Sequence, residues 1–118
     1  MRGWRTKSGK FVTVHSNADV LMPWRQAIAA VAATCWPGEP TVLPVSLTII
    51  FHMRKPKSAR KAATWPITRP DVDKLARAVL DAIDGVCYGD DSQVVYICAV
   101  KEYAATPKAI ITVKEMGA

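Results

Sequence analysis

Six aspartates lie within the stretch from Asp71 to Asp91, and carboxylates gathered this way have the chemistry of a divalent-metal site. The chain as a whole is basic, with a formal net charge of +6 at pH 7, so the local concentration of acids is unusual for this molecule. Neighbouring carboxylates repel each other, and a hard cation such as Mg²⁺, which prefers oxygen ligands, relieves that repulsion. Such ions support phosphodiester hydrolysis by lowering the pKa of a bound water and by neutralising charge on the phosphate.

Two of these acids are predicted to lie at the head of a helix. Pro70 favours a helix entry at this point, and Asp71 directly after it suits the N-cap position. Asp73 then lies in the first turn, where the helix dipole stabilises a carboxylate by roughly 0.3–1 kcal/mol. Asp91, in the sequence GDDSQVV before a strand, is the candidate third ligand if that turn approaches the helix start.

The same residues have simpler explanations that the spacing alone leaves open. Asp71 could serve only as a helix cap, and Asp90 and Asp91 only as turn residues, since aspartate favours both positions. Asp81 and Asp84 lie on the polar side of the helix, and Asp81 is placed to form an ion pair with Arg77 at i, i+4.

A loop with six cations and no acid precedes the acidic stretch, over residues 54–70. We interpret these cations as phosphate contacts, with a solvated surface run as the alternative. Trp65 lies among them and is either a packing residue or a platform for an unpaired base, whereas Trp4, Trp24 and Trp36 are predicted to be packing residues. The cations are Arg54, Lys55, Lys57, Arg60, Lys61 and Arg69.

Hydrophobic periodicity predicts a small α+β domain of the order β-α-β-loop-α-β-β, with a mixed sheet and two main helices. The last two strands are expected to pair with each other through a turn near Thr106 and Pro107. The second helix carries an apolar stripe and is expected to end near Gly85. The predicted strands and helices cover residues 11–15, 23–35, 43–53, 71–84, 93–103 and 109–114.

Composition bounds the class of protein. With 118 residues, half of them hydrophobic, the chain is expected to form one globular domain over residues 1–118. Its positive charge suits a polyanionic partner. Cys35, Cys87 and Cys98 form no CxxC pair and are predicted to be buried thiols in a reducing compartment. No apolar run approaches about 18 residues, and no signal peptide is evident, so we expect a cytoplasmic protein without a membrane span.

The sequence PDVDKLARAVLDAIDG, followed by GDDSQVV, resembles the signature of the RusA family of Holliday-junction resolvases. The likeness covers roughly residues 67–103 and extends more loosely along the chain. Members are small dimeric, Mg²⁺-dependent endonucleases of bacteria and prophages that cut branched DNA at four-way junctions. The resemblance implies that Asp71, Asp73 and Asp91 are catalytic metal ligands, that the chain forms a homodimer, and that it uses no small-molecule cofactor.

One departure from the family pattern concerns a catalytic lysine. Where some members carry that lysine, one turn into the helix, this chain has Arg77, which keeps the charge but is a poor proton donor. Lys74 is the nearest substitute. Lys101 lies ten residues beyond Asp91, roughly 33 Å along an extended strand, and is therefore not expected to reach it.

A second departure concerns the beginning of the chain. Family members open with a strand before the region that matches residues 2–15, so this chain is either a natural short form or lacks that first strand. The expected activity is resolution of four-way junctions. The alternatives are a catalytically inactive module that binds branched DNA and a nuclease for flaps. The expected DNA-binding residues are Lys55, Lys57, Arg60, Lys61, Arg69 and Lys74.

Overall fold

The computed structural model describes residues 8–13, 21–57 and 64–117, which form two α-helices and four β-strands. Their order is the predicted one, and the α+β class is confirmed. A 3₁₀ turn over Asp91–Gln93 leads into the third strand. The elements are β1 (Ser8–Thr13), α1 (Leu21–Cys35), β2 (Val45–Met53), α2 (Val72–Ile83), β3 (Val94–Tyr103) and β4 (Lys108–Glu115).

The four strands form one mixed sheet in the order β1-β4-β2-β3. Strand β4 runs antiparallel to both β1 and β2, whereas β2 and β3 are parallel. The predicted pairing of the last two strands is therefore wrong. The segment between β2 and β3 contains α2 and is long enough for a crossover, which places β3 parallel to β2 at the sheet edge. Strand β4 then fills the place between β1 and β2.

The core lies on one face of the sheet, under both helices. Alternate residues of β2 and β4 are buried, and the register sets them side by side, as in the pairs of Leu47 with Val113 and Ile49 with Ile111. Both helices contribute apolar stripes to the same cluster, with Trp24 packing against Phe51 at a ring-centroid distance of 5.9 Å. The helix residues in this cluster are Trp24, Ile28, Ala32, Leu75, Ala76, Ala78, Val79, Leu80, Ala82 and Ile83.

The direction of α2 follows from the parallel pairing. A helix that joins two parallel strands must run back along them, so it begins at their carboxyl ends. The ammonium of Lys101, late in β3, donates to the carbonyl oxygens of Thr68 at 2.7 Å and Pro70 at 2.9 Å, just before α2. At its other end α2 stops at Ile83, and Gly85 adopts a left-handed φ of 82°, as expected for a glycine that ends a helix.

Of the three cysteines that were predicted to be buried, one is buried and two are exposed. Cys87 is buried, and burial raises the pKa of its thiol to about 12. Cys35 and Cys98 are exposed, so the prediction that they are buried is wrong. The buried stripe of α1 passes through Ala32 and on to Trp36 and so leaves Cys35 outside, while Cys98 lies on the edge strand. Among the described residues, no helix is both long and apolar enough to span a membrane.

Candidate active site

The head of α2 presents two exposed carboxylates. Asp71 occupies the N-cap position as predicted, with φ −70° and ψ 144°, but its side chain makes no cap hydrogen bond. Asp73 lies in the first turn, where the partial positive charge of the helix terminus favours its ionised form. Because the carboxylate of Asp71 is not used for capping, the cap position does not account for its side chain, and the carboxylate is available for another ligand.

The turn before β3 separates the roles of two adjacent aspartates. Asp90 caps the turn, because its Oδ2 accepts from the backbone N–H of Ser92 at 2.9 Å, and these hydrogen bonds from Ser92 lower the pKa of Asp90. Gln93 completes a capping box and donates from Nε2 to the carbonyl oxygen of Thr41 at 2.9 Å. Asp90 and Gln93 therefore fix the turn, and Asp91 is left to make contacts elsewhere.

Both oxygens of Asp91 accept hydrogen bonds from side chains. Oδ2 accepts from Arg77 Nη1 at 3.1 Å, and Oδ1 accepts from the hydroxyl of Tyr88 at 3.0 Å. Tyr88 is fully buried; burial, and then its hydrogen bond to Asp91, raise the pKa of Tyr88, so its hydroxyl stays protonated and donates. Sequence reasoning missed Tyr88. The available signal was that a tyrosine in an apolar stretch needs a hydrogen-bond partner, and Asp91 lies three residues on.

Arg77 links this turn to α2, and Asp81 connects α2 to α1. The predicted i, i+4 ion pair is confirmed, with Arg77 Nη1 3.8 Å from Asp81 Oδ1, but the contact with Asp91 is shorter. Asp81 in turn lies 3.5 Å from Nη1 of Arg25 on α1. Arg77 is therefore not confined to a helix-surface pair, because it also touches the third predicted ligand.

The candidate ligands fall into two places along α2. Asp71 and Asp73 lie at the helix head, beside the end of β3 that carries Lys101, whereas Asp91 contacts the middle of the helix at Arg77. Arg77 is about 9 Å further along the helix axis than Asp71. Over residues 8–13, 21–57 and 64–117, no three acidic, histidine or cysteine side chains form a group that could hold a metal ion. Because α2 runs antiparallel to β3, the head of α2 lies near the end of β3, whereas Asp91 lies directly before the start of β3.

The donor chemistry nevertheless fits a hard divalent cation. The ligands are carboxylates, two of them exposed and one half-buried, and Mg²⁺ binds through one or two carboxylates with water completing its shell. Nearby acids also repel one another. Partial desolvation raises the pKa of Asp84, and repulsion from Asp91, Asp90 and Asp81 raises it further. This side of the domain thus carries negative charge that a cation would offset.

The contact of Lys101 with the chain before α2 was also not predicted. From the sequence, Lys101 could be judged only by its distance from Asp91 along β3. The register places Lys101 opposite Phe51, on the face of the sheet that carries the helices. From there its ammonium donates hydrogen bonds to the carbonyl oxygens of Thr68 and Pro70, in the segment that leads into α2. Lys101 thereby fixes the backbone directly before Asp71.

The structure describes four of the six predicted DNA-binding residues. Lys57, Arg69 and Lys74 are exposed. Lys55 is half-buried, with its ammonium 5.7 Å from the centroid of the Tyr103 ring. Arg60 and Lys61 lie outside the described residues.

The tryptophans that the structure describes also differ in exposure, and Trp4 lies outside the described residues. Trp65 is 56% exposed and Ile67 is 90% exposed, on either side of the buried Pro66. Trp24 and Trp36 are buried, which confirms them as packing residues. Trp65 thus has the exposure that base stacking requires.

Comparison with known proteins identifies the family to which the chain belongs. A sequence profile of the endodeoxyribonuclease RusA family matches residues 2–114, which is nearly the whole chain. The chain belongs to the RusA family. The uncharacterized protein YqaN of Bacillus subtilis (strain 168) is 32% identical to this RusA-family chain over 105 residues, covering 80% of this chain and 74% of YqaN. The resemblance drawn from the aspartate motif is confirmed, and the family is one of DNA-cutting enzymes.

Proposed function

We propose that this RusA-family protein is a Mg²⁺-dependent endodeoxyribonuclease that resolves four-way DNA junctions. The observation that carries the proposal is the family match over residues 2–114. Within the matched region, acids and cations lie together on the side of the domain formed by α2 and the turn before β3. That composition suits phosphodiester hydrolysis, which needs both metal ligands and cations that hold phosphate.

On the resemblance to the aspartate motif of the family, we assign Asp71, Asp73 and Asp91 as the residues that would hold the cation, which requires the Asp91 turn to approach the head of α2. When bound, the ion would supply a hydroxide nucleophile and neutralise charge on the scissile phosphate. Arg77 balances Asp91 in the absence of DNA. Its side chain is 61% exposed, so its guanidinium can exchange a carboxylate for a phosphate, which releases one oxygen of Asp91.

Two further residues position these acids. Tyr88 donates to the other oxygen of Asp91 and so keeps that carboxylate oriented while Arg77 contacts phosphate. Lys101 holds the chain that leads into Asp71. Tyr88 thus positions Asp91, and Lys101 positions the head of α2 with Asp71. We propose that both residues are needed to place the three carboxylates for catalysis.

Cations and one aromatic side chain provide contacts to the DNA. An exposed indole can stack on an unpaired base at the branch point, and we assign this role to Trp65. The residues assigned to backbone phosphates are Lys55, Lys57, Arg60, Lys61, Arg69 and Lys74.

A homodimer fits the symmetry of the substrate. Resolution of a four-way junction requires two nicks in strands related by a two-fold axis, and two identical subunits supply two sites with the same relation. The products are expected to be nicked duplexes with 5′-phosphate ends, as in the family that the chain belongs to.

The test is cleavage of end-labelled four-way junctions, flaps and linear duplexes of the same sequence, with Mg²⁺ or with EDTA. We expect paired nicks in the four-way junction only when Mg²⁺ is present, and an inactive Asp91→Asn protein under the same conditions. Binding to junctions without cleavage by the wild-type protein would instead identify a branched-DNA-binding module. Preferential cutting of flaps would change the substrate class.

A further inference from the structure

An open cleft of about 520 Å³ lies between α1 and α2, outside the turn that holds Asp91. One wall is formed by α2 from its first turn onward, and the other by a single arginine of α1. The lining residues are Arg25, Asp73, Lys74, Arg77, Ala78 and Asp81.

The charge of this cleft suits an anion. Three of its lining side chains are cations and two are carboxylates, and one of those carboxylates, Asp73, is assigned to the metal. The cleft is open to solvent and has one small apolar residue in its lining, Ala78, so it does not suit an apolar small molecule. A phosphodiester of a nucleic acid backbone, with two non-bridging oxygens, matches both the charge and the open shape.

Arg25 has hydrogen-bonding capacity that the described residues do not use. Its Nη1 lies 3.5 Å from Asp81 Oδ2, at the outer limit of a hydrogen bond. Its Nε is buried and has no hydrogen-bond partner within the described part of the chain. A guanidinium carries five N–H donors in a planar fork, and the Arg25 side chain is 35% exposed, so a phosphate could engage solvent-facing donors that Asp81 does not.

The position of the cleft relates it to the site of hydrolysis. Asp73 and Arg77 line the cleft and also belong to the proposed active site, so the cleft adjoins that site. Arg25 comes from α1, which contributes no other described residue to the lining of the cleft. An arginine there extends the DNA surface from one helix to two.

We propose that Arg25, together with Lys74, binds a backbone phosphate of the DNA next to the scissile one. Asp81 holds the guanidinium in the cleft until the phosphate replaces it. This inference rests on the proposed function for its ligand, but it concerns binding and not the chemical step.

The test is equilibrium binding of a labelled four-way junction in EDTA, so that no cleavage occurs, over a range of salt concentrations. Arg25→Ala is expected to weaken binding by about 3- to 10-fold and to reduce the salt slope by about 0.7–0.9, the value for one phosphate. Arg25→Lys, which keeps the charge but loses the fork, should lie between Arg25→Ala and wild type. Lys114→Ala, an exposed lysine on β4 outside the cleft, is the matched control and should change neither quantity.

Asp81→Asn separates phosphate binding from a structural ion pair. If Arg25 binds phosphate, Asp81→Asn should strengthen binding, because a competing carboxylate is removed. If the Arg25–Asp81 pair is only structural, both substitutions should lower the melting temperature while leaving the salt slope unchanged, and the proposal is overturned. Absence of junction binding by the wild type would overturn it too. Absence of cleavage alone, with the binding differences intact, would reject the nuclease activity and retain the Arg25 contact.

Discussion

The guanidinium of Arg77 lies 3.1 Å from Asp91, at the position where some RusA-family members carry a lysine. The two residues are separated by the end of α2 and the turn before β3, so the contact joins the helix to the strand that follows it. Arg77 also lies 3.8 Å from Asp81 on its own helix. These two contacts motivate two alternative roles for Arg77, one in the proposed active site and one on the helix surface.

Substitution of Arg77 distinguishes those roles. If its charge stabilises the scissile phosphate, Arg77→Lys should retain much of the activity, and Arg77→Ala should lose about two to three decades in rate. If Arg77 only pairs with Asp81, alanine should cost no more than about 1 kcal/mol of stability and leave cleavage nearly unchanged. Single-turnover cleavage at saturating protein measures the difference. A near-wild-type rate for Arg77→Ala would make Lys74 the next residue to test.

Removal of any one assigned metal ligand should stop the reaction. Asp71→Asn, Asp73→Asn and Asp91→Asn are each expected to abolish cleavage while junction binding is retained or strengthened, because a carboxylate that repels phosphate is removed. The adjacent Asp90→Asn provides the control, since asparagine can also cap the turn and Asp90 is not assigned to the metal. Wild-type cleavage by Asp91→Asn would show that the three-aspartate assignment is wrong.

Removal of the Lys101 ammonium should disturb the head of α2. Lys101→Met keeps much of the aliphatic stem but removes the donors to the carbonyls of Thr68 and Pro70, so Asp71 is less firmly placed. We expect a cleavage rate reduced at least tenfold with junction affinity within about twofold of wild type, since one poorly placed catalytic group can cost about 10²-fold. Lys114→Met, at an exposed lysine on β4 away from the head of α2, is the control. Equal rates for the two variants would remove Lys101 from the positioning role.

The basic loop should set much of the salt dependence of binding. Replacement of four cations by alanine is expected to weaken junction binding and to lower the slope of log K against log salt by about 3, at roughly 0.7–0.9 for each phosphate that a cation neutralises. Titrations of one labelled junction at several salt concentrations give the slope directly. An unchanged slope would mean that the loop does not touch DNA. The four residues are Lys55, Lys57, Arg60 and Lys61.

Asp84 should make the stability depend on pH in a specific direction. Its pKa is raised in the folded protein, so the ionised form is disfavoured there and stability is lost as the pH rises through that value. Asp84→Asn is therefore expected to melt at a higher temperature than wild type at pH 7, with no advantage below the ordinary carboxyl pKa. Asp90→Asn should behave in the opposite way at pH 7, because hydrogen bonds lower the pKa of Asp90. Thermal melts of the three proteins at several pH values test both signs.

Features governed by local sequence were predictable. The start of α2 directly after Pro70, with Asp71 at the N-cap position, and its end before Gly85, which has a left-handed φ, were both predicted, because helix ends depend on a few adjacent residues. The Arg77–Asp81 pair followed from helical spacing alone. The capping box of Asp90 and Gln93 is also local, since it lies within four residues, but it was not among the predictions.

The pairing of the strands, and the contacts that depend on it, could not be predicted from local sequence. Alternation in β3 and β4 indicates that each is a strand but not which neighbour it pairs with. The prediction therefore paired β3 with β4 and did not place Lys101 beside Pro70. The same uncertainty left the approach of Asp91 to α2 undefined, because that approach depends on the direction of the crossover and not on any motif.

The parallel pairing of β2 with β3 also has a consequence during protein synthesis. His52 pairs with Glu102, fifty residues later, so this part of the sheet closes only after a long loop has been made and brought together. A chain that has emerged from the ribosome only as far as α2 already carries Asp71 and Asp73, but it has neither Asp91 nor Lys101. In the proposed enzyme, a partly synthesised chain is therefore unable to cut the DNA of its own cell, and the capacity to cut appears only once the last two strands have been added.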